Sequence, residues 1–187
     1  MPSWELLASR CVAKLSEDVN SFANVVRIYT MKVKVNKHNQ DHMLRLDSAV
    51  IYARASNEGR GAAQAYSQVA GNLSKSFPVC VGCRVMMTRN IWDTAGLVNG
   101  AKGNVYDVSW QEGSDFEEHV PQVIIVALDN YTGPPFQLPS GEVLRDFAGK
   151  LVVSVKRVRQ DFSICGETCF KKQFPLIICY IITVYTS

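Results

Sequence analysis

From Phe77 to Val105 the chain reads FPVCVGCRVMMTRNIWDTAGLVNGAKGNV, apolar and β-branched stretches broken by glycines at 82, 96, 100 and 103. Glycine is expected where the backbone turns with positive φ, so this run predicts a strand, a loop and a glycine-punctuated turn into a further strand. The same rhythm continues through NVYDVSW, an acidic loop QEGSDFEEH, the apolar run QVIIVALD, a Gly/Pro loop NYTGPPFQLPSG and LVVSVKRVR. Four or five short strands at this spacing predict a small all-β barrel. No internal repeat is visible.

The residues before it have another character. Residues 3–20 predict a helix, with Ser3 as N-cap, Glu5 in the first turn and Leu7, Cys11 and Leu15 recurring every fourth position. Residues 25–30 (VVRIYT) predict a strand, and residues 33–46 a second helix through Val35, Asn39, Met43 and Leu46. A strand is expected over 49–53. Residues 54–76, rich in Ala, Gly, Ser, Gln and Asn, read as a long surface excursion.

With 187 residues and 47% hydrophobic content, the chain suits one domain, or one domain carrying a smaller inserted one. A net charge of +3 leans weakly toward anionic partners. Between 145 and 172 the balance is sharper: Arg145, Lys150, Lys156, Arg157, Arg159, Lys171 and Lys172 face only Asp146, Asp161 and Glu167. A solvated face and a phosphate track both fit that pattern. The opening MPSWELLASRC lacks a basic segment followed by an apolar one, so no secretory signal and reduced thiols are expected. The uncharged stretch from Phe174 to Ser187 is shorter than the roughly 20 residues of a membrane span and contains Pro175, so it predicts a buried strand or short core helix, and no membrane partner.

Catalytic chemistry is hard to place on these residues. A nucleotide loop needs glycines ending in Lys-Ser/Thr; Gly96, Gly100 and Gly103 lack that ending and read as turn residues. Zinc is suggested by Cys80-x-x-Cys83 with Cys165 and Cys169, but Cys80 and Cys83 flank Val81 in a predicted strand and would point to opposite faces; buried thiols are the simpler reading. His38 and His42 have the helical spacing of a metalloprotease pair, yet Asn39 stands where its general-base Glu belongs. No catalytic or metal residue is assigned. Trp92, Tyr106, Trp110, Tyr131 and Phe136 could stack on unpaired bases or fill a barrel core; alternation alone leaves both open.

Four blocks, in order, resemble the petite-integration-frequency (PIF-like) DNA helicases, RecD-related enzymes of helicase superfamily one. RIYTMKVKVNKHN resembles the segment that opens the second RecA-like domain. FPVCVGCRVMMTRN with GLVNGAKGNV resembles V-G-A-R-V-M-L-T-x-N and G-L-V-N-G-x-x-G-x-V, the most specific part of the likeness. VIIVALDNYTGPPF resembles the following strand and loop, and QFPLIICYIITVYTS resembles Q-F-P-L-x-x-x-Y-A-I-T-V-H-K-S-Q-G.

The resemblance implies an α/β fold: part of a RecA-like second motor domain with an inserted small β-barrel of the Src-homology type. The division it implies is 1–90 for the first part of the motor domain, 91–170 for the barrel and 171–187 for the return. It implies descent from a 5′-to-3′ ATP-dependent DNA helicase of repair, recombination or telomere maintenance, acting inside the cell in nucleus or mitochondrion. The expected partner is single-stranded DNA, contacted by Asn36, Asn39, Lys156, Arg157, Arg159, Thr183 and Ser187. ATP and magnesium belong to the family's first RecA-like domain and arginine-finger segment, which this sequence lacks, so no cofactor and no ATP hydrolysis are expected of the chain alone. Met31 and Lys32 stand where the family has Thr-Asn, Tyr185 and Thr186 where it has His-Lys, and Ser187 precedes the expected Gln-Gly.

Two other readings stand beside this one. The barrel could be a protein-interaction module, or the chain could be a helicase remnant without independent function, whose uncharged C-terminal strand lacks sheet neighbours and exposes an open edge.

Overall fold

A computed structural model describes residues 27–29, 31–113 and 120–183. The helix expected over 3–20, most of the acidic loop and Ser187 lie outside these residues. Strand β1 (Arg27–Tyr29) leads into α1 (Lys32–Leu44). As the spacing predicts, α1 buries Val35, Asn39 and Met43, while Leu46 falls beyond its end and is exposed. Its N-cap is Met31, extended at φ −114°, ψ 121°, without a side-chain hydrogen bond to the first turn.

The chain continues through β2 (Ile51–Arg54), β3 (Ser56–Glu58), β4 (Ser76–Val79) and β5 (Arg84–Met87). Then follow a 3-10 turn (Asp93–Ala95), β6 (Lys102–Ser109), β7 (Val123–Leu128) and β8 (Val153–Lys156). The last strands are β9 (Val158–Ile164), β10 (Glu167–Gln173), β11 (Leu176–Ile178) and β12 (Ile181–Thr183). Four sheets result: β1-β12, β2-β4, β3-β10-β9 and the five-stranded β11-β5-β6-β7-β8.

Among the described residues the strands expected to form a small barrel do not close. The five-stranded sheet is antiparallel throughout and open, with β11 and β8 at its two edges among the described residues. Beyond β8 the chain passes Arg157 and enters β9, so it changes sheets rather than closing on β11. The expectation that the C-terminal strand lacks neighbours is corrected. β11 pairs with β5, and β12 runs parallel to β1, with α1 packed against both members of that pair. The β1–α1–β12 unit is the α/β part of the fold, and the rest is β.

Apolar sequence explains the sheet's centre. β7 (VIIVAL) is buried on both faces: Ile124, Val126 and Leu128 join the main core with Phe77, Val85, Met87 and Phe174, while Ile125 and Ala127 pack with Val152 on the other side. Burial in β6 runs Gly103, Val105, then Val108, because a register shift between Val105 and Asp107 resets the alternation. Two glycines of the motif have separable reasons. Gly96 is left-handed (φ +80°), as a turn residue should be, and a Cβ there would also stand 2.5 Å from Asn130 O; Gly103 has no positive φ and is there because a Cβ would stand 2.5 Å from Ala127 O on β7. For Gly103 the turn expectation therefore gives way to close strand approach.

The stretch over 54–76 is less superficial than its composition suggests. Ala62, Ala70 and Leu73 are buried, and the segment lies on the inner face of β9-β10, where Lys171 Nζ donates to Ala65 O (3.3 Å) and Cys169 Sγ to Arg60 O (3.6 Å). Among the described residues no helix is long and apolar enough to cross a membrane.

Candidate nucleic-acid interface

The residues proposed from sequence are divided among three surfaces. The first is a cleft of about 570 Å³ between α1 and the β2-β4 hairpin, lined by Lys32, Asn36, Asn39 and Gln40 from the helix and Tyr52 and Ser74 opposite. Asn36 is exposed there. Asn39 is 8% exposed and its amide is engaged by the chain itself: Nδ2 donates to Ile178 O (3.2 Å) and Ile181 O (3.1 Å), and Oδ1 accepts from Ile181 N (2.9 Å). These bonds make Asn39 a strut fixing the β11–β12 corner to α1. Facing the same cleft, Ser74 Oγ is buried without a hydrogen-bond partner.

The helix's histidines also serve that corner. The rings of His38 and His42 lie 4.5 Å apart, and His42 stacks on Tyr180 at 4.9 Å. Tyr180 OH in turn accepts from Arg84 N (3.1 Å), and burial pushes its pKa up.

The second surface is the outer face of β3-β10-β9. Cross-strand pairing aligns Ser56, Lys172 and Arg159 in one row and Glu58, Phe170 and Asp161 in the next. Arg159 lies over the Phe170 ring (3.8 Å) and its Nε pairs with Asp161 Oδ1 (2.9 Å); Arg157 Nη1 donates to Ser56 Oγ (3.1 Å). Arg157 and Arg159 are thus oriented by neighbours but remain at the surface. Lys172 is exposed, and among the described residues no carboxylate pairs with it. Lys171 belongs to the opposite face, fully buried; burial, with Lys75 nearby, pushes its pKa down. Strand alternation separates these adjacent lysines.

The third surface is a groove of about 410 Å³ lined by Trp92, Tyr131, Pro134, Pro135 and Phe136, with Lys156 among its walls. Trp92 is 47% exposed. Tyr131 OH donates to Pro134 O (2.9 Å), which fixes its ring, and burial raises its pKa. Trp92, Tyr131 and Phe136 line the groove, and Tyr131 and Phe136 also pack against the core clusters, as the half-buried Tyr106 and Trp110 do. Thr183 closes β12, opposite Tyr29 of β1.

No zinc site forms. Among the described residues no group of three or more His, Cys, Asp or Glu could hold a metal ion. Cys80 and Cys83 are not on opposite faces of a strand, as expected, but at the two ends of a turn (Cys83 N to Cys80 O, 3.2 Å), both buried in the main core. Burial pushes the Cys83 thiol up to about 12, so it stays protonated and unreactive.

One ionic cluster went unnoticed in the sequence. Asp129, at the end of β7, binds Arg84 bidentately and accepts from Lys150 Nζ (3.1 Å), ties that hold its carboxyl below the usual carboxylate range. It joins β5, β7 and the loop preceding β8.

Comparison with known proteins places this arrangement. No family model matches the chain, and no curated protein matches it significantly. Solved structures do. Unliganded Pif1 from Bacteroides sp superimposes with a TM-score of 0.57 at 18% identity, covering 88% of this chain and 42% of that one. Pif1 helicase from Candida albicans gives 0.58 at 20% identity, covering 88% and 37%. Bacteroides Pif1 bound to ssDNA gives 0.54 at 20% identity, covering 87% and 31%.

The fold is that of part of a Pif1 helicase. The chain spans about a third to two-fifths of the length of these Pif1 structures. The fold resemblance expected from the four sequence blocks is met, and it covers both the α/β unit and the β-rich part.

Proposed function

We propose that the chain is a segment of a Pif1-like DNA helicase that holds single-stranded DNA, corresponding to a partial RecA-like second motor domain with its β-rich insertion. The observation that carries this reading is Lys156 beside an aromatic groove, on a fold shared with a Pif1 solved in complex with ssDNA. Stacked aromatics beside exposed cations suit a strand whose bases are unpaired and whose phosphates are accessible. The proposed contacts are Lys156, Arg157, Arg159 and Lys172, with Asn36, Thr183 and Ser187 carried over from the family pattern. In this reading residues 91–170 form the insertion, whose sheet is completed by β5 and β11 from the flanking parts. ATP hydrolysis, 5′-to-3′ unwinding, roles in repair or recombination, and a nuclear or mitochondrial setting belong to the whole helicase.

Oligonucleotide affinity measured against salt tests the proposal. Four phosphate contacts predict a log–log slope of about −3 for a single strand, reduced by roughly 0.7 for each lysine or arginine replaced by Ala. Binding that is flat in salt, or missing at low salt, refutes it. The groove's prolines and aromatics favour a second reading, capture of a protein segment; partner binding that survives substitution of Lys156, Arg157 and Arg159 by Ala would support that one instead.

A further inference from the structure

The most exposed large apolar side chain among the described residues is Phe147, at 108% relative exposure. It is as open to water as in an isolated peptide, yet its loop is tightly made. The hairpin carrying it is closed by the Arg145–Leu151 bridge, and the Gln137–Val143 bridge closes the turn just before it. At the tip, Asp146 N donates to Lys150 O (3.0 Å) and Gly149 N to Asp146 O (2.9 Å). Asp146 Oδ1 accepts from both Ala148 N (2.9 Å) and Lys150 N (2.7 Å), and Arg145 Nη1 donates to Gly149 O (2.8 Å). The base is anchored by Leu144 against the Ile125/Val152 cluster and by the Lys150–Asp129 ion pair.

A phenyl ring held in water on a self-closed tip forgoes its own burial, while the ordering cost of presenting it is already met within the loop. Arg145 and Lys150 stand two and three positions away, both exposed. Lys150 is held by Asp129, whereas among the described residues no carboxylate pairs with Arg145. A single ring beside a cation matches a nucleotide: a flat base for the ring, a phosphate for the cation. A protein groove or bilayer would favour a broader apolar patch.

The geometry points to Phe147 as a stacking site for an unpaired base, with Arg145 beside the adjoining phosphate. This inference rests on the single-strand-binding reading above and adds a contact which that reading does not contain. From Lys150 the chain runs directly into β8 and Lys156, at most about 20 Å further on for an extended strand, so the tip would extend the same track.

The test compares the chain with its Phe147→Ala and Phe147→Tyr variants, using a fluorescent oligothymidylate and an abasic oligomer of equal length. Loss of one stacked base predicts affinity for oligothymidylate reduced roughly 5- to 150-fold in Phe147→Ala, with unchanged salt slope and melting temperature, and recovery in Phe147→Tyr. On the abasic oligomer the three proteins should bind alike. Equal binding of oligothymidylate by the chain and Phe147→Ala overturns the stacking site while leaving single-strand binding intact. Failure of every protein to bind either oligomer overturns both. Binding of phosphatidylserine vesicles that depends on Phe147, with oligothymidylate binding unaffected, reassigns the tip to membranes and overturns it as well.

Discussion

Replacing Asn39 separates a strut from a DNA contact. In the structure its side chain makes three hydrogen bonds to the backbone at Ile178 and Ile181, from a position on α1 that is 8% exposed. Asn39→Ala removes all three and leaves the buried Ile181 N–H without its amide partner. At about 0.5–1.5 kcal/mol per bond, raised by the cost of an unsatisfied buried donor, the loss is about 2–4 kcal/mol. For a chain of this size that corresponds to a melting temperature lower by about 4–16 °C. Asn39→Asp adds a pH signature. A carboxylate there would face two carbonyl oxygens, so its folded-state pKa would rise above the unfolded value. The folded state would then bind the proton more tightly, and stability would be greatest at acid pH and fall as pH rises through the folded pKa. Thermal melts at several pH values, paired with oligonucleotide titrations, read both effects. An unchanged melt together with weakened DNA binding in Asn39→Ala would refute the strut and restore the contact.

Two further substitutions probe other parts of the fold. Met31, the N-cap of α1, has extended backbone and no capping hydrogen bond, so Met31→Ser should raise stability by about 0.5–2 kcal/mol in denaturant melts. Lys171 is buried with a depressed pKa, so it weakens the fold where it must stay charged and weakens it less as pH rises above its folded pKa. Lys171→Met should therefore leave stability equal or higher at neutral pH and flatten its rise with alkaline pH.

How far the fold was legible from sequence depends on the range of the signal. Helix α1 was visible because Val35, Asn39 and Met43 repeat at helical spacing, and β6, β7 and β8 because their apolar runs are bounded by turn residues. Closure was not visible. Whether strands of this kind form a barrel or an open sheet depends on whether the last finds the first, and here β11 takes the place beside β5 while β8 passes on to a different sheet. Strand β5, inside the 77–105 run, is thus completed from some ninety residues downstream, a pairing that no local pattern announces. The cysteines went wrong for a local reason: Gly82, at φ +82°, turns the chain between Cys80 and Cys83, so strand parity does not apply there.

The site was legible in chemistry but not in placement. Counting seven basic residues between 145 and 172 suggested one track, yet a charge acts only where its side chain emerges. Lys171 points inward, and Lys150 is tied to Asp129. Arg159 is shared between Asp161 and the Phe170 ring, so part of its field is already neutralised. Lys156 and Lys172 remain exposed, on different sheets joined through Arg157. A strand crossing this surface would follow the corner where β8 becomes β9, with the aromatic groove on one side and the outer face of β9-β10 on the other. That corner exists because the chain changes sheets there. In a closed barrel β8 would have been stitched to the first strand, so the opening of the sheet and the exposure of the cationic corner have the same structural origin.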